Sequence, residues 1–100
     1  MFIHTVFFYL EQGTPAEARD QLVQDCRDYL GDVPGVRQLW AGTPAGTPRD
    51  VVDNSYGVGL TVVLDNTADH DVYQDHPRHK QFIERNKQHW ERVQVYDYIE

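Results

Sequence analysis

The chain has one cysteine, Cys26, and one methionine, and it has no apolar stretch approaching the roughly 20 residues of a membrane-spanning helix. A lone thiol cannot close an intramolecular disulfide, which excludes a disulfide-stapled scaffold and fits a reducing compartment. Basic residues are few: nine Lys and Arg stand against sixteen Asp and Glu, a net charge of -7. That balance repels phosphate backbones and anionic lipid, so neither nucleic acid nor a membrane is an expected partner. The opening MFIHTVFFYL lacks a basic leader and a small-residue cleavage site, and it reads as a strand rather than a signal. Phosphate-loop and dinucleotide glycine patterns are missing, as is the Gly-x-Ser-x-Gly elbow of a serine nucleophile. Cys26 sits mid-helix among packing residues and does not read as a reactive thiol. The expectation is a cytoplasmic protein without a cofactor.

What remains is ordinary globular material, with 40% hydrophobic and 25% charged residues. One hundred residues make a single domain, 1–100, with one modest core that buries roughly two-thirds of the unfolded surface. Residues 2 to 10 are β-branched and aromatic on both faces: Phe2, His4, Val6, Phe8 and Leu10 alternate with Ile3, Thr5, Phe7 and Tyr9. A strand that is apolar on both sides needs cover on both sides. Helices would supply one layer and a second sheet or a second copy the other, which predicts a homodimer through sheet faces.

Thr14-Pro15-Ala16-Glu17 predicts a capped helix start, with Thr14 as cap and Glu17 completing a capping box. The helix should run to about Leu30, with Leu22 and Cys26 inward and Asp25 among the residues facing water, and Gly31 closing it. A second strand fits residues 36 to 42, a loop fits 43 to 55, and a third strand alternates over 56 to 64. Gly57 and Gly59 in that strand suggest a close approach of backbone or ligand. Asp65-Asn66-Thr67 ends that strand and caps a further helix, which breaks near His76 because Pro77 disfavours helical geometry before it and restarts at Pro77, running to about Arg92 with Trp90 inward. A last strand spans 93 to 99. The order βαββαβ predicts an α+β, ferredoxin-like antiparallel sheet with two helices on one face.

Chemistry concentrates in one stretch, Tyr73-x-x-His76-Pro77-x-His79-x-x-Phe82. Helical spacing puts Tyr73, His76 and Pro77 together at the bend and returns His79 to the side of Phe82 and Ile83. With His4 at the first strand, the alternating third strand and a closing Tyr-Asp-Tyr, the pattern resembles the stress-responsive A/B barrel (Dabb) family from His4 to Tyr98. More distantly it is similar to the olivetolic acid cyclase branch, which closes linear polyketides by aldol condensation. The family resemblance implies a dimeric α/β barrel. The cyclase resemblance implies Tyr73 and His79 as catalytic pair and His4 as a pocket histidine; the cyclase's third-strand histidine is replaced here by Val58.

In an enzyme of this kind His79 would be the general base, since an imidazole of ordinary pKa about 6.5 can accept a proton beside a carbonyl near neutrality. Tyr73, a phenol that stays protonated at pH 7, would hydrogen-bond the developing oxyanion. Phe2, Val6, Trp40, Val58, Leu60, Phe82 and Trp90 are expected in an apolar wall, with His4 and His76 as polar binding groups; an enclosed cavity of roughly a few hundred Å³ would favour binding or catalysis, and a filled interior would favour assembly. Against this stand plain structural roles: Tyr73 packed under the bend, His79 capping a helix, His4 as a satisfied core histidine. A metal site from His76 and His79 with His70 or Asp75 is disfavoured, because zinc wants three or four well-placed ligands and Pro77 spoils the helical display. Two functions therefore stay open: binding of a small, mostly apolar molecule with cyclase-like or isomerase-like chemistry, and a stress-related dimer without turnover.

Overall fold

Strand β1, Phe2–Leu10, lies inside a four-stranded antiparallel sheet of order β2-β3-β1-β4, with β2 at Val36–Gly42, β3 at Val58–Leu64 and β4 at Trp90–Ile99. The computed structural model describes residues 1–100. Its helices are α1 at Ala16–Asp25, α2 at Thr67–Asp75 and α3 at Pro77–Asn86. A π-turn, Cys26–Leu30, continues α1, and a short 3-10 turn, Lys87–His89, follows α3. No helix is long and apolar enough to cross a membrane.

The side-chain period of two divides the sheet cleanly. Phe2, Val6 and Phe8 of β1 and Val58, Leu60, Val62 and Leu64 of β3 form one buried cluster with Leu22, Cys26, Leu30, Tyr73 and Phe82 from the helical layer. Burial of each large side chain contributes roughly 1.5–3 kcal/mol, so this one layer carries most of the fold's stability. On the opposite face Ile3, Thr5, Phe7 and Tyr9 point away from the helices, and their neighbours Trp40, Tyr96 and Tyr98 are exposed.

Local signals account for most element ends. Asn66 caps α2 by accepting from the Asp69 N–H, and the chain is extended at His76 before Pro77 opens α3. Gly57 has the close approach its position suggested, but to protein: a Cβ there would lie 2.5 Å from the Leu10 side chain. A Cβ added at Gly59 would lie 3.5 Å from the Phe7 and Tyr56 rings, an ordinary contact.

Four sequence expectations are corrected. Thr14 caps nothing: Pro15 occupies the cap position, and the Thr14 hydroxyl donates back to the Glu11 carbonyl. Asp25 is buried rather than solvated, because Arg85 and Asn86 of α3 and Gln21 of α1 all donate to its carboxylate. Burial alone would raise this carboxyl; the three donors outweigh it and hold it below the usual carboxylate range. The third strand begins at Val58, not 56. Finally, α3 stops at Asn86, and Trp90 starts β4, where it pairs with Leu10.

A histidine-lined cavity between sheet and helices

The extended residue His76 turns the chain between α2 and α3, so Tyr73 and His79 approach from opposite sides of the bend. Their rings meet edge to face, with centroids 4.9 Å apart. Beneath them lies a cavity of about 140 Å³ walled by His4, Val6 and Phe8 of β1, Leu60 of β3, Tyr73 and Gln74 of α2, and His79, Phe82 and Ile83 of α3. Leu30 and, from β4, Trp90, Val93 and Val95 complete the wall. Ten of these thirteen residues are hydrophobic, so polar contacts are few and each one matters. The volume is close to the roughly 150 Å³ of an engineered apolar cavity that holds benzene, and it is below the size expected from sequence.

Three buried polar atoms have no hydrogen-bond partner: the Tyr73 hydroxyl, His79 Nδ1 and Trp90 Nε1. All three belong to residues of this wall. An unpaired buried donor or acceptor costs about 1–3 kcal/mol, and such groups are scarce in native proteins. Their collection around one cavity is the most unusual feature of the molecule.

Electrostatics follow from the same burial. Tyr73 is pushed well above an ordinary phenol because its charged form would be desolvated, with Cys26 nearby adding to the effect. It is a permanent hydrogen-bond donor at any physiological pH. Burial, with the neighbouring His4 and His70 in a smaller role, pushes His79 down to about 4. That imidazole is neutral at pH 7, a more complete neutrality than its ordinary pKa implies. Burial likewise lowers His70, which stacks on Phe2 at 4.4 Å and lies 4.7 Å from the His4 ring. The Cys26 thiol is pushed up to about 12 by burial and is inert at neutral pH.

His4 is buried, and its Nδ1 lies 2.6 Å from Asp97 Oδ1. With Asp97 ionised, Nδ1–H donates and Nε2 is left with the lone pair. Asp97 was not legible as a site residue by type, yet it left a trace: it falls between Val95 and Ile99 on an otherwise apolar strand face. His4, His70 and Asp97 also bring potential metal-ligating atoms within 4.8 Å of one another. A cation held there would displace the existing His4–Asp97 bond, and three ligands fall short of a closed structural site.

The cavity thus gathers His4, Val6, Leu60, Tyr73, His79, Phe82 and Trp90. It does not gather four other expected residues, of which Phe2 lies in the buried core stacked on His70. Trp40 pairs with Thr61 on the outer sheet face, and it is 57% exposed there because its neighbours Leu39 and Ala41 take the helical side. Val58 is fully buried opposite Phe8 but belongs to the packed core rather than the cavity wall. His76 is spent on the backbone: its Nδ1 accepts from the Arg78 N–H and caps α3.

The fold and this sheet-to-helix cavity define a ferredoxin-like α+β protein of the kind whose sheet has one face left open. Residues 2–100 match the model of the Stress responsive A/B Barrel Domain, Dabb, and the chain belongs to that family. Among solved structures, a Dabb family protein with a ferredoxin-like fold from Mesorhizobium loti is 24% identical, with 99% of this chain and 95% of that one covered at a TM-score of 0.80. A dimeric ferredoxin-like protein of unknown function from Thermobifida fusca matches at 15% identity, 99% and 90% coverage and a TM-score of 0.84. The hydroxynitrile lyase of Passiflora edulis matches at 18% identity, 99% and 92% coverage and a TM-score of 0.83. No curated protein matches the sequence.

Proposed function

We propose that residues 1–100 act as one domain, a homodimeric Dabb protein whose cavity holds a small, mostly apolar molecule and carries out cyclase-like or isomerase-like acid–base chemistry on it. The observation that carries this reading is the trio of unpaired polar atoms on Tyr73, His79 and Trp90 in a wall whose other members, His4 and Gln74 apart, are apolar. A purely architectural interior would have satisfied or removed them.

In this reading a neutral His79 takes a proton from the carbon beside a carbonyl, and Tyr73 donates a hydrogen bond to the oxygen on which charge develops. The low pKa of His79 weakens it as a base, so proton abstraction depends on the Tyr73 hydrogen bond to the developing oxyanion, while the strong conjugate acid returns the proton readily to the product. His4, oriented by Asp97, offers a second nitrogen in the same wall. A hydroxynitrile lyase on this fold is compatible with an enzymatic use of the scaffold. The dimer is supported by the apolar outer face and by dimeric proteins of the same fold.

One observation favours the alternative, a stress-related dimer without turnover: the cavity is small and its three unpaired atoms are shut off from solvent. Thermal-shift screening of a library of small neutral ring compounds separates the two. Compounds that raise the melting temperature in the parent protein and lose most of that effect in both Tyr73→Phe and His79→Ala support the binding site. Hits that are indifferent to both substitutions remove the roles given to these residues.

A further inference from the structure

His70 has no part in the chemistry proposed above, yet β1, β4 and α2 bring it together with His4 and Asp97. Strand register sets His4 opposite Asp97, and the His70 ring lies 4.7 Å from that of His4 and stacks on Phe2 at 4.4 Å. One potential ligand atom from each of the three residues lies within 4.8 Å of the other two. Two ligands about 2.0–2.2 Å from a shared ion stand roughly 3–4 Å apart. The widest pair therefore has to close by roughly 1 Å, and the His4–Asp97 pair, now at 2.6 Å, has to open slightly. Asp97 has room for this: it stands on an edge strand, and its side chain is 34% exposed. The same exposure gives a hydrated ion a way in.

We infer that His4, His70 and Asp97 form an open binding site for a divalent transition cation of the Zn²⁺ class. Imidazole nitrogen suits Zn²⁺ and its transition-metal neighbours, whereas Mg²⁺ and Ca²⁺ take oxygen ligands. Three protein ligands are too few to close a structural site, and they are the number found where a fourth position stays with water. The chain's net charge of -7 favours a cation over an anion. The ion takes the place of the proton that His4 Nδ1 now donates to Asp97; in a neutral ring that proton moves to Nε2, so no proton need leave. The site stands apart from the proposed cavity ligand, because neither Tyr73 nor His79 belongs to it.

The test titrates the tag-free whole chain with Zn²⁺ and Mg²⁺ by calorimetry at pH 7.5, and with Co²⁺ by visible absorption. Zn²⁺ is expected to bind with a Kd of about 10 μM or tighter, and Mg²⁺ at least about a hundredfold more weakly. Co²⁺ should develop visible absorption bands that added Zn²⁺ abolishes. Asp97→Asn keeps an acceptor for His4, and His70→Phe keeps a ring against Phe2, so both preserve the local packing. Each should weaken Zn²⁺ at least about tenfold, since even groups that only orient a ligand cost that much when removed. His89→Ala, outside the cluster, should change the affinity less than about twofold and so controls for stray surface histidine binding. Zn²⁺ binding weaker than about 10 μM, equal affinity for Mg²⁺, or a Zn²⁺ affinity that survives either Asp97→Asn or His70→Phe overturns the site. Each of those results leaves the cavity's binding role where the thermal-shift screen puts it.

Discussion

His4 and Asp97 face each other directly across the β1–β4 ladder, and their side chains meet with Nδ1 and Oδ1 2.6 Å apart. The bond ties a buried imidazole to an aspartate on an edge strand, which fixes both the ring's orientation and its tautomer. Asp97→Ala leaves the Nδ1–H buried without an acceptor and should cost about 1–3 kcal/mol in urea unfolding. Asp97→Asn keeps an accepting oxygen and should cost under about 1 kcal/mol. Equal losses in the two variants would contradict a hydrogen-bonding role for the aspartate.

Tyr73→Phe makes the opposite prediction. The hydroxyl has no partner, so its removal takes away an unmet desolvation cost while the ring keeps its packing against His79 and His4. Stability should stay within about 0.5 kcal/mol of the parent or rise, whereas Tyr73→Ala, which empties a fully buried position, should lose roughly 3–5 kcal/mol. A loss above about 1.5 kcal/mol for the phenylalanine variant would mean that the hydroxyl is satisfied after all, and the cavity would lose its main polar feature.

Asp25 anchors α1 to α3 through Arg85 and Asn86, 60 and 61 residues further along the chain. Because its side chain is 2% exposed while that of Arg85 is 47% exposed, much of the pair's Coulomb energy is screened, and the larger effect is what a deletion leaves unpaired. Asp25→Ala should destabilise by about 2 kcal/mol in denaturant titration and loosen α3, which carries His79 and Phe82. Broadened amide resonances of residues 77–86 in that variant would report the loosening. An unaltered denaturation midpoint would show the network to be incidental.

Much of this architecture was readable from residues alone, and the misses have definite causes. Alternation in residues 2–10 gave β1 and both its faces, and Asp65-Asn66-Thr67 with Pro77 marked the two later helix starts. Helix α3 ends earlier than its pattern suggests, because Trp90 continues the helical spacing of Phe82 and Ile83; strand pairing of Trp90 with Leu10 overrides that local preference. Asp25 reads as a surface residue in any window of its own helix, since its partners are distant in sequence. Tyr73, His79, His4 and Phe82 come together because the bend at His76 was encoded locally by Pro77. Trp40 was misassigned because a single strand's pattern does not say which of its faces meets the helices, and Asp97 was passed over because its meaning exists only in register with His4.

The outer sheet face carries Trp40, Tyr96 and Tyr98 at 57%, 60% and 60% exposure, three large side chains that a second copy's sheet would remove from water. Trp40→Glu combined with Tyr98→Lys should shift the protein from dimer to monomer in multi-angle light scattering at micromolar concentration, with the far-ultraviolet circular dichroism retained. A parent protein that is already monomeric under those conditions would end the dimer proposal.

The last prediction concerns pH. Burial pushes His79 from 6.5 to about 4, so between those values the unfolded chain binds a proton that the folded chain refuses. Stability is therefore fully present above about pH 6.5 and declines as the pH falls toward 4, by roughly 2 kcal/mol at pH 5 and roughly 3 kcal/mol at pH 4 for this one group. His70, lowered in the same direction by burial, adds to the decline. His79→Leu removes only the first contribution, so unfolding free energies at pH 7.5 and pH 5 should differ less in that variant than in the parent. If the two proteins lose stability in parallel, His79 titrates as a solvated imidazole, and the dry, neutral base on which the proposed chemistry depends is not there.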